Sequence, residues 1–182
     1  MKNIEEQLSS YKSVHFNKKN IQTHFVGVPI IVLSIVVLLS RFTWQISVGD
    51  YGLTVTPAFI AAIVAITYYF TLHTRLAVAM GLYFVVTLYV AALLAPLSYS
   101  LELAIALFVI GWIIQFIGHY FEKAKPAFVD DLSQFLIGPL FLMAEVFFAL
   151  GLEKTLEKNV TKIAQRKRHD FEQLKQKNQG AS

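Results

Sequence analysis

Residues 25–118 run for 94 positions with only four charged side chains, Arg41, Asp50, Arg75 and Glu102. A helix that is apolar all round belongs in a core or a bilayer; the length allows one domain with a sizeable core, but a soluble core needs polar faces on its helices, and this block provides almost none. Over all 182 residues, 15% are charged and 55% hydrophobic, where an average soluble domain is roughly a quarter charged. The missing charge is collected at the ends. Met1–His24 holds four basic and two acidic residues, and Glu153–Ser182 holds eight against four. A lipid-embedded centre with solvated ends follows. The net charge of +4 does not indicate nucleic acid, because the basic excess flanks apolar spans, where it marks the cytoplasmic side. The absence of cysteine excludes disulfides, thiolate metal sites and cysteine nucleophiles. With Glu5 and Glu6 and no early apolar run, the first residues do not read as a cleavable signal peptide.

Ile4, Leu8, Tyr11 and His15 recur at helical spacing, predicting a short helix from 4 to 15 lying at a surface, and Asn17 and Asn20 predict a break, since asparagine is a frequent helix N-cap. Four apolar spans are expected over Pro29–Trp44, Pro57–Leu72, Leu76–Leu97 and Leu101–Phe121. The first two open on proline, which loses no hydrogen bond in a first turn. Sixteen residues make about 24 Å of helix, somewhat short of a hydrocarbon core of about 30 Å. Trp112 and Tyr120 suit interface anchoring. Val48–Tyr51 reads as a short loop.

Four spans return the chain to the side on which it started. With a cytosolic N-terminus, Lys123 and Lys125 then fall in the cytosol. A fifth full crossing over Phe135–Leu152 would export the basic tail, against the positive-inside rule. That stretch, which holds Gly138, Pro139 and Glu145, is therefore expected to be broken, re-entrant or interfacial. The fold class is all-α: a multi-pass membrane helical bundle of four spanning helices plus this fifth segment. Residues 153–182 form a basic, partly helical cytosolic tail behind a single membrane-embedded domain, 1–152.

Chemistry can reside in few places. On this topology His15, His24, His73 and His119 share one side of the membrane, and His169 lies in the tail. Gln115, His119 and Glu122 stand at i, i+4 and i+7, so they project from one helical stripe at the membrane boundary. Polar groups there are costly unless they face a partner, a cavity or an ion. Two readings are open: an interhelical hydrogen-bond link with a wet helix end, or a functional constellation. His15 and His24, nine residues apart, lie on opposite faces of a straight helix and can meet only if the chain bends between them, as Asn17–Asn20 permits. Glu145, flanked by apolar residues, is protonated, paired with a base, or turned toward a site.

Taken together, Tyr11-x3-His15-x4-Asn20-x3-His24-x4-Pro29, Gly111-Trp112-Ile113-x-Gln115-Phe116-x-Gly118-His119, Phe121-Glu122-Lys123-x-Lys125-Pro126-Ala127 and Pro139-x5-Glu145 resemble the 2-hydroxy-fatty-acid dioxygenase family. The fungal founder of that family acts in phytosphingosine breakdown by fatty-acid α-oxidation. The resemblance covers about residues 8–152, and Gly111–Ala127 is its most specific block. It implies an iron(II)-dependent, histidine-rich site in which His15, His24 and His119 ligate the metal. His73 lies outside the recurring pattern. The substrates so implied are a 2-hydroxy fatty acid and O₂, with the bilayer as host and no nucleic acid.

Imidazole donors suit non-haem iron(II) while leaving coordination positions open. In the roles this implies, Glu122 is a fourth ligand or an acceptor orienting an imidazole. Gln115 is a further catalytic candidate. Asn20 and Lys123 are candidates for the substrate head, with Lys125 as an alternative to Lys123. The compartment is the cytoplasmic membrane in a bacterium or the endoplasmic reticulum in a eukaryote, with the site facing the cytosol. A two-metal lipid desaturase or hydroxylase would call for more histidines than the five present. A non-enzymatic transporter or scaffold with structural histidines is the competing reading, and it predicts protein without metal.

Overall fold

The computed structural model describes residues 3–49, 51–122, 131 and 133–180. Seven helices and one hairpin are present among them: α1 (Ile4–Lys12), α2 (Lys18–Ser40), β1 (Trp44–Val48), β2 (Tyr51–Val55), α3 (Pro57–Leu72), α4 (Thr74–Leu94), α5 (Ser100–Glu122), α6 (Gln134–Ala149) and α7 (Lys154–Gly180). The chain resolves into two compact units, Met1–Gln22 with Ile117–Ser182, and Thr23–Phe116, so that both divisions fall inside α2 and α5.

In the first unit, Asn3 caps α1 by accepting from the Glu6 N–H, and Glu5 and Glu6 sit at the positive end of the helix dipole. The helix stops at Lys12 rather than His15. Val14 and His15 close tighter turns onto the Tyr11 and Lys12 carbonyls, and this is the bend that the histidine spacing required. Nor does α1 lie at a surface: Leu8 and Tyr11 are buried where α1 packs on α6 and α7. Asn17 then starts α2, its side chain accepting from the Lys19 N–H at 2.9 Å.

The fifth apolar stretch is helical from Gln134 to Ala149 with no break at Pro139, which corrects the broken form among the three expected for it. Pro139 is the sixth residue of α6, just past the turn whose N–H groups lack intrahelical partners in any helix, so it forfeits a single bond. Glu145 is paired: Lys12 Nζ lies 2.6 Å from its carboxylate and 5.7 Å and 6.0 Å from the centroids of the Phe141 and Phe148 rings. After α6, Gly151 takes positive φ, as glycine does past a helix end, and α7 follows. Leu156, Val160 and Ala164, spaced four apart, bury a stripe of α7 in its packing on α1.

In the second unit, α2 differs from the expected first span at both ends. It begins at Lys18 and keeps Pro29 inside it, and it ends at Ser40. Its 23 residues make about 34 Å of helix. Trp44 is not the end of that span but the start of an antiparallel hairpin, paired with Val55. Arg41 donates to Ser100 Oγ, joining the end of α2 to the start of α5. Thr56 caps α3, with Pro57 in its first turn, and His73 both ends α3 and caps α4 through the Leu76 N–H. A core of Val36, Val37, Ala58, Ala91 and Ala104 draws on α2, α3, α4 and α5, the small residues letting backbones approach as they do in membrane bundles.

Three helices, α2, α4 and α5, are long and apolar enough to cross a membrane, whereas α3 has 16 residues. The expected boundaries of α3 and α5 agree with the structure within a residue, and α4 starts two residues earlier and ends three earlier than expected. Large apolar side chains such as Leu82, Val85, Val86 and Tyr89 are exposed along α4. Their exposure suits lipid rather than water.

Candidate metal centre

Three segments carry the histidines that the sequence singled out. His15 ends the turn after α1, His24 lies on α2, and His119 lies one turn before the end of α5. All three are buried. Each offers one ring nitrogen, and these nitrogens all lie within 4.8 Å of one another.

The His15 ring is held by its neighbours. Its Nδ1 is 2.6 Å from the Tyr11 carbonyl, and because that oxygen can only accept, Nδ1 carries the proton and Nε2 keeps the lone pair that a metal could take. The Tyr11 ring stacks on it at 4.1 Å and 3°, and the His119 ring meets it edge-on at 5.0 Å. Burial pushes the Tyr11 phenol above its ordinary value, so the stacking partner stays neutral. Tyr11 is itself seated against α6, where a Cβ added at Gly138 would meet its hydroxyl at 3.1 Å.

Glu122 ties the three histidine-bearing segments together. Its Oε2 accepts from the Asn17 N–H at 2.8 Å and from Asn20 Nδ2 at 3.2 Å, and its Oε1 accepts from Arg168 at 3.3 Å. Asn17 also donates from its side chain to the Phe121 carbonyl at 3.0 Å. Thus one carboxylate three residues after His119 fixes a backbone two residues after His15 and a side chain one turn before His24. Such an outer shell orients ligands. Glu122 stands beside the nitrogen cluster rather than within it.

Gln115 is buried one turn before His119, and its Nε2 has no hydrogen-bond partner among the described residues. It lies over Gly27, one turn past His24, where a Cβ would meet that nitrogen at 2.4 Å. A buried amide without a partner is rare and marks a strain reservoir, an ordered water or a ligand. Asn20 is fully buried, its amide nitrogen shared between Glu122 and the Val14 carbonyl. Lys123 and Lys125 lie outside the described residues. His73 is the junction of α3 and α4 and His169 pairs with Gln173 on α7; neither is in the cluster. Sequence reasoning missed Asn17, Tyr11 and Arg168 as supports. Tyr11 was legible one helical turn before His15; Arg168, 46 residues from Glu122, carried no local signal.

The donor set fits a divalent transition metal. Three imidazoles converge, one with its tautomer fixed for ligation, and three nitrogens leave positions for exogenous ligands. No solved structure matches the chain. It is 32% identical over 177 residues to the 2-hydroxy-palmitic acid dioxygenase MPO1 of Saccharomyces cerevisiae, covering 96% of this chain and 92% of that protein. Residues 1–150 match the family described as 2-hydroxy-palmitic acid dioxygenase Mpo1-like, and the chain belongs to this family.

Proposed function

We propose that the protein is an iron(II)-dependent dioxygenase that removes one carbon from 2-hydroxy fatty acids. The balanced reaction is R–CH(OH)–COOH + O₂ → R–COOH + CO₂ + H₂O, which needs no second reductant. The observation that carries the reading is the buried convergence of His15, His24 and His119 in a chain of this family. Iron(II) held there would supply one-electron reactivity toward O₂ and open positions for a carboxylate and its α-hydroxyl.

The residues of the chain do the rest. His15, His24 and His119 hold the ion, and Glu122 sets their relative placement through Asn17 and Asn20. Gln115, whose amide nitrogen has no partner among the described residues, donates to the substrate head and orients it for reaction. Asn20 contacts the same head from beside Glu122, and Lys123 attracts its carboxylate. The acyl chain lies among the apolar helices, which exclude water from the reacting carbon. The protein is multi-pass, with α2, α3, α4 and α5 as four spans, residues 1–152 as one catalytic domain, and α6 re-entrant or interfacial. The basic tail of 153–182 lies in the cytosol with the site.

The test is anaerobic purification in mild detergent, elemental analysis, and an oxygen-uptake assay on 2-hydroxypalmitate. Iron near one equivalent, oxygen uptake matched by CO₂, and no uptake with palmitate are expected. His119→Ala should lose both iron and turnover while remaining membrane-inserted. Normal turnover by that variant would refute the assignment, and metal-free wild-type protein would favour a transporter or scaffold.

A further inference from the structure

The C-terminal helix supplies a charge that the metal centre lacks. Glu122 is buried at the C-terminal end of α5, where the helix dipole disfavours a negative side chain. Two of its partners, the Asn17 N–H and the Asn20 amide, are neutral. Among the described residues its cation is Arg168 of α7, whose Nη1 is 3.3 Å from Glu122 Oε1 and 3.4 Å from the Ser13 carbonyl, and whose Nη2 is 3.5 Å from the Glu122 carbonyl. One guanidinium thus bridges the end of α1 to the end of α5. Ser13 is two residues before His15, and Glu122 three after His119.

Arg168 is held for this position. It continues the buried stripe of Leu156, Val160 and Ala164 by one more turn, its Nε is 2.7 Å from Glu172, and Lys167 beside it reaches Ser10 Oγ at 2.7 Å. Asn159 anchors the start of the same helix on Glu5 at 2.7 Å. Arg168, Lys167 and Asn159 lie beyond residue 150, where the family match ends, while the residues they hold on α1 and α5 lie within it.

We propose that Arg168 is a positioning residue of the metal centre: by compensating the buried Glu122 carboxylate, it lets that carboxylate hold Asn17 and Asn20, and through them the imidazoles, in a ligating arrangement. The tail is then part of the site rather than a solubilising appendage. This rests on the metal reading of the three histidines.

The experiment is a double-mutant cycle on the full-length protein in detergent, with cobalt(II) as the probe, its visible absorption reporting both affinity and ligand geometry. Arg168→Ala should weaken cobalt binding about 10–100-fold, the range for loss of an outer-shell partner, and alter the absorption envelope. Arg168→Lys, which keeps the charge but lacks the planar fork that reaches the Glu122 carboxylate and carbonyl from separate nitrogens, should recover only part. In a Glu122→Gln background, where no carboxylate needs compensation, Arg168→Ala should change affinity less than threefold. Hydrogen exchange over α7 should remain slow in each variant, showing the helix still docked. An unchanged affinity and spectrum in Arg168→Ala would overturn the inference while leaving the metal reading intact. So would an equal loss in both backgrounds, which would mean generic tail docking. Wild-type protein that takes up no cobalt would remove the metal reading and this inference with it.

Discussion

The spacing of the ligand-bearing helices can be perturbed without touching a ligand. Within the second unit, α2 and α5 cross at Gly27 and Gly111. A Cβ at Gly111 would sit 2.6 Å from Ile31 Cγ1, 3.1 Å from the Gly27 carbonyl oxygen and 3.3 Å from the Ile31 nitrogen. Carbon pairs rest at about 3.5–4.0 Å, so the Ile31 side chain must move by on the order of 1 Å. The two backbone contacts persist through any rotamer change, and their relief parts the helices by a few tenths of an ångström. Overpacking of this kind costs about 1–3 kcal/mol. Replacing glycine within a helix returns roughly 0.5–1 kcal/mol, leaving a net loss between nothing and about 2.5 kcal/mol. Stability is therefore a weak readout. Metal affinity is a strong one, because coordination tolerates only about 0.2 Å of displacement, and His24 and His119 are carried by the two helices that must part. Gly111→Ala is expected to lower metal affinity at least tenfold, with a small change in thermal stability. The control is Gly81→Ala on α4, where an added Cβ meets nothing within 4 Å and affinity should not change. Competition titration against a chromophoric chelator measures both. Wild-type affinity in Gly111→Ala would show that the crossing does not set the site.

Other consequences can be checked alongside. Glu145→Ala strands Lys12 in a partly buried site, and breaking a buried ion pair costs about 3–5 kcal/mol; a marked fall in denaturation midpoint is expected, with Lys12→Met/Glu145→Leu recovering most of it, and a double variant as unstable as the single would contradict the pairing. Gly138→Ala presses on the Tyr11 hydroxyl at 3.1 Å and should displace the ring stacked on His15, so reduced metal affinity without loss of helicity is expected by titration and circular dichroism. In the hairpin, Trp44 faces Val55 and Ile46 faces Leu53 across the strands, with Trp44, Ile46 and Leu53 exposed between helices of the apolar unit. In a Trp112→Phe variant in vesicles, Trp44 emission should be quenched by lipids brominated near the headgroup; quenching only by an aqueous quencher would place it in water.

What the sequence announces, and what it conceals, divides by the range of the interaction. Local signals read correctly: Pro57 at the start of α3, the apolar runs of α3 and α5, the stripe of Gln115, His119 and Glu122, and the need for a bend between His15 and His24. Misreadings arise where context overrides a local rule. Pro29 is a sound first-turn residue, yet α2 begins eleven residues earlier, because Asn17 caps it and its apolar face packs in the unit's core; one lost hydrogen bond does not outweigh that. The strands Trp44–Val48 and Tyr51–Val55 are five residues each, short enough for their alternation to pass as a continuing apolar run and a loop. Least legible are the distant pairs. Lys12 and Glu145 are separated by 133 residues, and neither has a neighbour in sequence that points to the other.

The centre's dependence on outer contacts follows from where its ligands sit. Each histidine lies near the end of its element: after the last turn of α1, in the second turn of α2, in the last full turn of α5. Helix ends fray, because their terminal carbonyls and N–H groups lack intrahelical partners, so imidazoles placed there cannot rely on the helices for precision. The groups around Glu122 supply what is missing. Asn17 satisfies the Phe121 carbonyl and donates its own N–H to the carboxylate, while Arg168 meets the Glu122 carbonyl and the Ser13 carbonyl. The orphan groups at the end of α5 and at the start of α2 are thereby used to fasten one to the other. On the proposed reading, a ligand set at helix ends would place the ion near the lipid boundary, where an amphiphilic acid could present its polar head. It also requires the ends to be tied, and in this chain both termini contribute the ties.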